Sequence, residues 1–364
     1  MTFLAHIRQT DGVRREQALN EHCRSCAVLA SEAGVAGLKN TAYLAGLLHD
    51  MGKYTKEFQD YLAKAAEGDN VRRGSVNHSF AGVRYAFERW HSSEVPTPRN
   101  MVCEIIAYAA GAHHGLFDCI DAEGRDAFLH RLKSDGIGYE EARDNFLRDC
   151  AGNEELDTLF VEAEREVSEA IGRIKTHVKS EKELRFCIGL LTRMLLSAVI
   201  DADRRDTAQF MHNIEIPRIK SSRDMWDRIL NLVEEKLERM PSKSSIDEIR
   251  RAISNRCRDA AGKEEGIYRL AVPTGGGKTL TSLRYALAAA AERGKKRLVF
   301  VIPLLSVLEQ NAAVIRDFVG DESLILEHHS NIVRENSGLD ELNENELLAE
   351  TWDAPIVITT LVQL

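Results

Sequence analysis

The sequence predicts a multi-domain protein, an all-α domain followed by a partial α/β domain with a parallel sheet. Three observations carry this. Up to about residue 215, apolar residues recur at helical spacing and proline is scarce. From residue 266, short runs of Val, Ile and Leu alternate with helical segments. The turn after the first of those runs is glycine-rich, VPTGGGKTL at 272–280. At 364 residues, the length fits two domains or slightly more.

In chain order, helical spacing covers 39–49, 56–66, 100–112 and 183–200. The stretch 152–185 is rich in Glu, Lys and Arg of mixed sign, which predicts a solvated helix pair rather than a nucleic-acid patch. Residues 213–222 form a connector. Helices follow at 223–239 and 245–260, with MPSKSS as break and N-cap between them. GIYRLAV then predicts a strand and 278–293 a helix. RLVFVIP is a second strand, followed by a helix near 305–318. SLILEHH and PIVITT are third and fourth strands. The expected domains are 1–215, a helical linker and entry segment at 216–265, and 266–364. The pattern stops at TTLVQL, which reads as a truncation inside the last domain.

Composition is that of a soluble globular protein, 44% hydrophobic and 29% charged. No apolar run is long enough to span a bilayer, and MTFLAHIRQTDGVRREQ lacks a signal-peptide layout. A cytoplasmic protein without a membrane partner is expected. The net charge of −9 argues against a surface that coats nucleic acid throughout, though not against a local basic channel. The seven cysteines are irregularly spaced, as reduced thiols would be. Cys23-Arg-Ser-Cys26 has CxxC spacing without a second pair, and reads as two half-buried thiols on a helix.

The stretch PTGGGKT sits between a strand and a helix, the context of a phosphate-binding loop. Thr274, Gly275, Gly276 and Gly277 would turn successive N–H groups toward phosphate at a helix N-terminus. Lys278 would reach the β/γ-phosphates and Thr279 would hold Mg²⁺ beside ATP. Val272 stands where the strict pattern has glycine, and the stretch resembles the PTGxGKT form of superfamily 2 helicases. No DExx sequence follows PIVITT. The expectation is ATP binding without efficient hydrolysis or unwinding.

In the first half, His49-Asp50 closes an apolar run and precedes Gly52 and Lys53. The pair GAHHGLFD, with His113 and His114, comes later, then DADRRDT after an apolar segment. Imidazole suits transition metals, and carboxylate can bridge two ions. This ordered set resembles the HD-domain metal phosphohydrolases. Joined to a superfamily 2 phosphate loop, it resembles the CRISPR-associated HD nuclease–helicases of type I interference systems (the Cas three family), most closely their subtype C branch.

That resemblance implies an all-α HD metal-phosphohydrolase domain followed by a partial α/β RecA-like domain. It implies that His22, His49, Asp50 and Asp203 hold one divalent ion. Asp50 would bridge to a second ion on His78, His113 and His114, with Mn, Fe, Co, Ni or Mg as the metal. Lys53 would act with Asp50 in catalysis by stabilising the transition state. Asp201 and Asp206 are alternatives to Asp203; Asp203 matches the family's Ala-Asp-Arg element. His6, His91, His130, His177 and His212 read as ordinary histidines, and His328–His329 as structural or DNA-proximal. IPLLSVLEQN resembles a DNA-backbone motif.

The implied activity is metal-dependent cleavage of single-stranded DNA, with a crRNA-guided surveillance complex presenting the displaced strand. Two other functions compete: an HD phosphohydrolase acting on nucleotides or cyclic oligonucleotides, and a truncated, non-catalytic docking module.

Overall fold

The computed structural model describes residues 2–363 except 11–12, 34, 36, 69–75, 77, 93–96, 118, 134–137, 213–220, 243 and 330–351. Most of the connector expected at 213–222 lies outside the described residues. The chain divides into two units, Met1–Ile214 and Glu215–Leu364.

The first unit opens with a hairpin, β1 (Leu4–Thr10) and β2 (Val13–Ala18), paired antiparallel. Helical periodicity does not predict it. Its sequence signal is the dipeptide Asp-Gly at 11–12, a composition that favours hairpin turns. Helices follow: α1 (Leu19–Glu32), α2 (Lys39–Leu48), α3 (Lys56–Ala66), α4 (Ala81–Trp90), α5 (Pro98–Gly111), α6 (Ala127–Leu132), α7 (Tyr139–Asp149), α8 (Asn153–Lys175) and α9 (Glu181–His212). A 3-10 turn, Met51–Tyr54, joins α2 to α3.

Local chemistry sets the helix starts. Thr55 caps α3 by accepting from the Phe58 N–H, and Thr97 caps α5 by accepting from the Asn100 N–H. Pro98 occupies the first turn of α5, where a missing N–H costs nothing. The central helix α2 packs against α1, α5 and α8, and α1 also packs against α9. Leu44, Leu47 and Leu48 of α2 are fully buried, each worth about 1.5–3 kcal/mol. With Leu19 and Ala27 of α1, Ile106 of α5 and Val199 of α9, they form one core. That core presents the ends of α2 and α5 to one face of α1 and α9.

The second unit begins with α10 (Arg223–Arg239) and α11 (Ser245–Asp259), capped by Ser222 and Ser244. Helix α12 (Lys278–Arg293), β3 (Leu298–Val301), α13 (Leu305–Val319), β4 (Ile325–His328) and β5 (Ile356–Thr359) complete it. The strands form a parallel sheet in the order β3-β5-β4. Trp226, Ile229 and Val233 of α10 are buried with Leu283 and Leu287 of α12, so the segment read as a linker contributes to this unit's core.

One expected strand is not formed. Residues 266–273 make no ladder. A strand needs a neighbour to take its backbone hydrogen bonds, and none of the described strands pairs with this segment. Ile267 is fully exposed there.

Candidate metal centre and phosphate loop

Helix α2 ends at His49, and Asp50 follows with φ −108° and ψ 18°, in the bridge region that turns the chain out of the helix. A helix end leaves carbonyls without intrahelical donors. The His49 ring meets that need: its Nδ1 lies 2.7 Å from the Gly46 carbonyl. His113 repeats the arrangement at the end of α5, with Nδ1 2.6 Å from the Ala110 carbonyl. A carbonyl only accepts, so each Nδ1 donates, and in the neutral ring Nε2 carries the lone pair. Helix termination thus fixes the tautomer a metal ligand requires.

Both Nε2 atoms are buried and have no hydrogen-bond partner, as is Asp50 Oδ1. Asp50 Oδ2 is met by the Lys53 ammonium at 2.6 Å. Orphaned buried polar atoms are costly, and several pointing at one another are what an ion would satisfy.

The donors fall into two groups. Those of His22, Cys26, His49 and Asp203 lie within 4.8 Å of one another, as do those of Asp50, His78, His113 and His114. Asp50 stands between the groups. Its Oδ2 is 3.2 Å from His22 Nε2 and 3.3 Å from His49 Nε2; its Oδ1 is 3.6 Å from His113 Nε2 and 3.9 Å from His78 Nε2. The Nε2 atoms of His78 and His114 are 2.7 Å apart. Adjacent nitrogens around one ion would be roughly 2.9 Å apart, from a metal–nitrogen distance of ~2.1 Å. His114 is the exposed member of its group.

The three aspartates of DADRRDT take different places on α9. Asp203 Oδ1 lies 3.3 Å from His22 Nε2 and 3.8 Å from His49 Nε2. Asp201 pairs with Arg205. Asp206 accepts from His22 Nδ1 at 2.6 Å and from Gln17 Nε2 at 2.7 Å, which holds the His22 ring with Nε2 turned inward. These residues meet because α9 runs to His212, past the helical stretch read at 183–200.

Gly52 makes the second group possible. A Cβ there would lie 2.1 Å from the His78 carbonyl oxygen and 2.6 Å from its Cα. Phe58 closes the other side, its ring 4.9 Å from that of His78 and 5.6 Å from Lys53 Nζ.

Electrostatics match the geometry. Burial opposes the charge on Asp50, but Lys53 and His49 outweigh it and hold the carboxyl well below its ordinary range. Burial also opposes charge on Asp203, and His22 and His49 reverse the balance. His22 and His49 are buried too, yet the surrounding groups hold them well above 6.5: Cys26, Asp203, Asp206 and Asp50 for His22, and chiefly Asp50 and Asp203 for His49. Burial lowers His78 to about 4, so its ring is neutral and free to bind an ion.

Cys23 and Cys26 are fully buried rather than half-buried. The i, i+4 spacing of His22 and Cys26 was the signal that the thiol shares the histidine's helix face. His6 lies beside the centre, with Nε2 3.1 Å from Thr207 Oγ1, and is not in either donor group. His91 pairs with Glu104, and the side chain of His212 lies outside the described residues. In the second unit His328 Nδ1 accepts from Trp352 Nε1.

The phosphate loop forms at the N-terminus of α12. Gly275 and Gly277 have φ +82° and +78°, which side-chain-bearing residues rarely adopt, and Gly277 is the N-cap. Arg250 of α11 donates to the Gly275 carbonyl at 2.8 Å. Lys278 and Thr279 line a cavity of about 290 Å³ with Leu270, Phe300 and Asn311. The Thr279 hydroxyl donates to Asn311 Oδ1 at 2.6 Å.

Two family models match the chain. Residues 19–130 match the HD domain, and residues 226–364 match the type III restriction enzyme, res subunit. The chain joins an HD domain to a helicase-like domain. The HD match spans His22, His49, Asp50, His78, His113 and His114, while Asp203 lies beyond it. No curated protein matches. Among solved structures, the chain is similar to Cas3 of T. fusca, at 16% identity over all of this chain and 43% of that one, with a TM-score of 0.49. The ATP complex of that protein gives 15% identity, 99% and 43% coverage and 0.49. A structure described as a CRISPR-associated protein gives 15% identity, 99% and 45% coverage and 0.47. The chain spans less than half the length of these structures. Among the described residues, no helix is long and apolar enough to cross a membrane.

Proposed function

We propose that the HD domain is a two-ion phosphodiesterase that cuts single-stranded DNA, and that the chain serves CRISPR type I interference in the cytoplasm. One observation carries the chemistry: the two oxygens of Asp50 face two separate donor groups. His22, His49 and Asp203 would hold one ion with Asp50 Oδ2, and His78, His113 and His114 the other with Oδ1. Two such ions supply Lewis acidity to a phosphodiester and lower the pKa of bound water.

The remaining residues orient and neutralise. Lys53 is buried beside Asp50. Burial opposes its charge, but Asp50 and Asp203 raise its pKa, so it stays an ammonium. It is placed to offset charge building on the phosphate oxygens. Exposed His114 marks the side from which substrate approaches.

The helicase-like domain, with its phosphate loop for ATP and Mg²⁺, favours a nucleic-acid substrate over a free nucleotide. A crRNA-guided surveillance complex would present the displaced strand. The test supplies Mn²⁺, Ni²⁺ or Co²⁺ and compares single-stranded DNA with nucleotides and cyclic oligonucleotides, using Asp50→Ala as control. Cleavage of DNA that Asp50→Ala abolishes supports the reading. Turnover of the small nucleotides alone would overturn the substrate, and no turnover of either would leave a docking module.

A further inference from the structure

Cys26 stands one turn after His22 on the buried face of α1. Its Sγ lies 3.7 Å from both ring nitrogens of His22, and its side chain is fully buried. Around one five-coordinate ion, a sulfur at ~2.3 Å and a nitrogen at ~2.1 Å would be about 3.1–3.8 Å apart. A buried cysteine alone would not make a site. The independent observation is His49 Nε2, fully buried, without a hydrogen-bond partner, and in the same donor group as the sulfur.

We infer that Cys26 is a ligand of the first ion, which sits in a pocket of two histidines, two carboxylates (Asp203 and the bridging Asp50) and one thiolate. The inference rests on the two-ion reading above. It makes the two positions chemically unequal. Thiolate sulfur favours Zn²⁺, Fe²⁺ and Co²⁺ over Mg²⁺ and Mn²⁺. The second position offers only nitrogen and oxygen, and one of its ligands, His114, is exposed. One ion is therefore resident and soft-ligated, and the other exchanges with solvent. Coordination removes the thiol proton to solvent.

The test loads the full chain with Co²⁺ and records metal content, X-ray absorption and the near-ultraviolet spectrum. Two ions per chain are expected, with a sulfur shell at roughly 2.3 Å and a sulfur-to-cobalt charge-transfer band. Both sulfur signals disappear in Cys26→Ser and persist in Cys23→Ala. Zn²⁺ affinity at one position falls by about tenfold or more in Cys26→Ser, while the other position is unchanged. Bound Co²⁺ with only nitrogen and oxygen neighbours in the wild type overturns the Cys26 assignment and leaves the two-ion reading standing. Wild type that binds no Co²⁺ overturns both. Because the deciding spectra come from the wild type, a variant that fails to fold does not shield the inference.

Discussion

Replacing Gly52 by alanine adds one methyl group and removes no ligand. That methyl would sit 2.1 Å from the His78 carbonyl oxygen and 2.6 Å from the carbonyl carbon and Cα. Ordinary contact requires these groups to part by about an ångström or more, since carbon atoms rest at ~3.5–4.0 Å. The neighbours are backbone atoms, so no side chain can swing away. Displacing His78 by that amount breaks its 2.7 Å approach to His114 and the place proposed for it around the second ion. A misplacement of ~1 Å at a reacting centre costs on the order of 100-fold in rate, and overpacking costs about 1–3 kcal/mol of stability. The expected result is one bound ion instead of two and roughly 100-fold slower cleavage. Calorimetric metal titration and a single-stranded DNA cleavage assay read both. Gly172→Ala is the control: it lies on α8 with nothing within 4 Å of its Cβ position, and should gain about 0.5–1 kcal/mol. A Gly52→Ala protein that keeps two ions and wild-type cleavage would refute the placement of His78 as a ligand.

Asp206→Ala removes the acceptor on His22 Nδ1, and calorimetry should show metal affinity at the first position falling by roughly 10–100-fold. Lys278→Ala removes a charged hydrogen bond to nucleotide phosphate, worth about 2 kcal/mol or some thirtyfold in affinity; binding of a fluorescent ATP analogue should weaken by that factor while cleavage of free single strands is kept. Metal-free stability should depend on pH from both sides. Asp50 and Asp203 are depressed below 3.8, so their contribution is present above that value and lost as pH falls through the depressed one. His22 and His49 are raised above 6.5, so theirs is complete below 6.5 and lost as pH rises through the raised value. Chemical denaturation of chelator-treated protein should place the maximum between these limits, and an ion, which replaces the imidazolium charges, should remove the loss on the alkaline side.

Much of the fold was legible because periodicity reports burial directly. Helices α2, α3, α10, α12 and α13 and the strands β3 to β5 follow their apolar patterns closely. The N-terminal hairpin carries little sequence signal, since β2, Val13–Ala18, is mostly polar and exposed and only the Asp-Gly dipeptide at 11–12 marks it. GIYRLAV has a strand's composition, but composition cannot supply a neighbouring strand. At the centre, candidate ligand types and their order stand in the sequence, and the i, i+4 spacing of His22 and Cys26 marks a shared helix face. Two features depend on geometry: the capping of helix-end carbonyls by His49 and His113, and the role of Asp206 behind His22. The first is a ring orientation and the second a contact between elements, which spacing alone does not encode.

Asp50 is proposed to bridge two ions. Anomalous scattering from crystals grown with Co²⁺, which both positions are expected to accept, tests this. Two peaks roughly 3.5–4 Å apart are expected, one against each oxygen of Asp50, with His22, His49 and Asp203 around the first and His78, His113 and His114 around the second. A single peak, or two peaks of which only one touches Asp50, would contradict it.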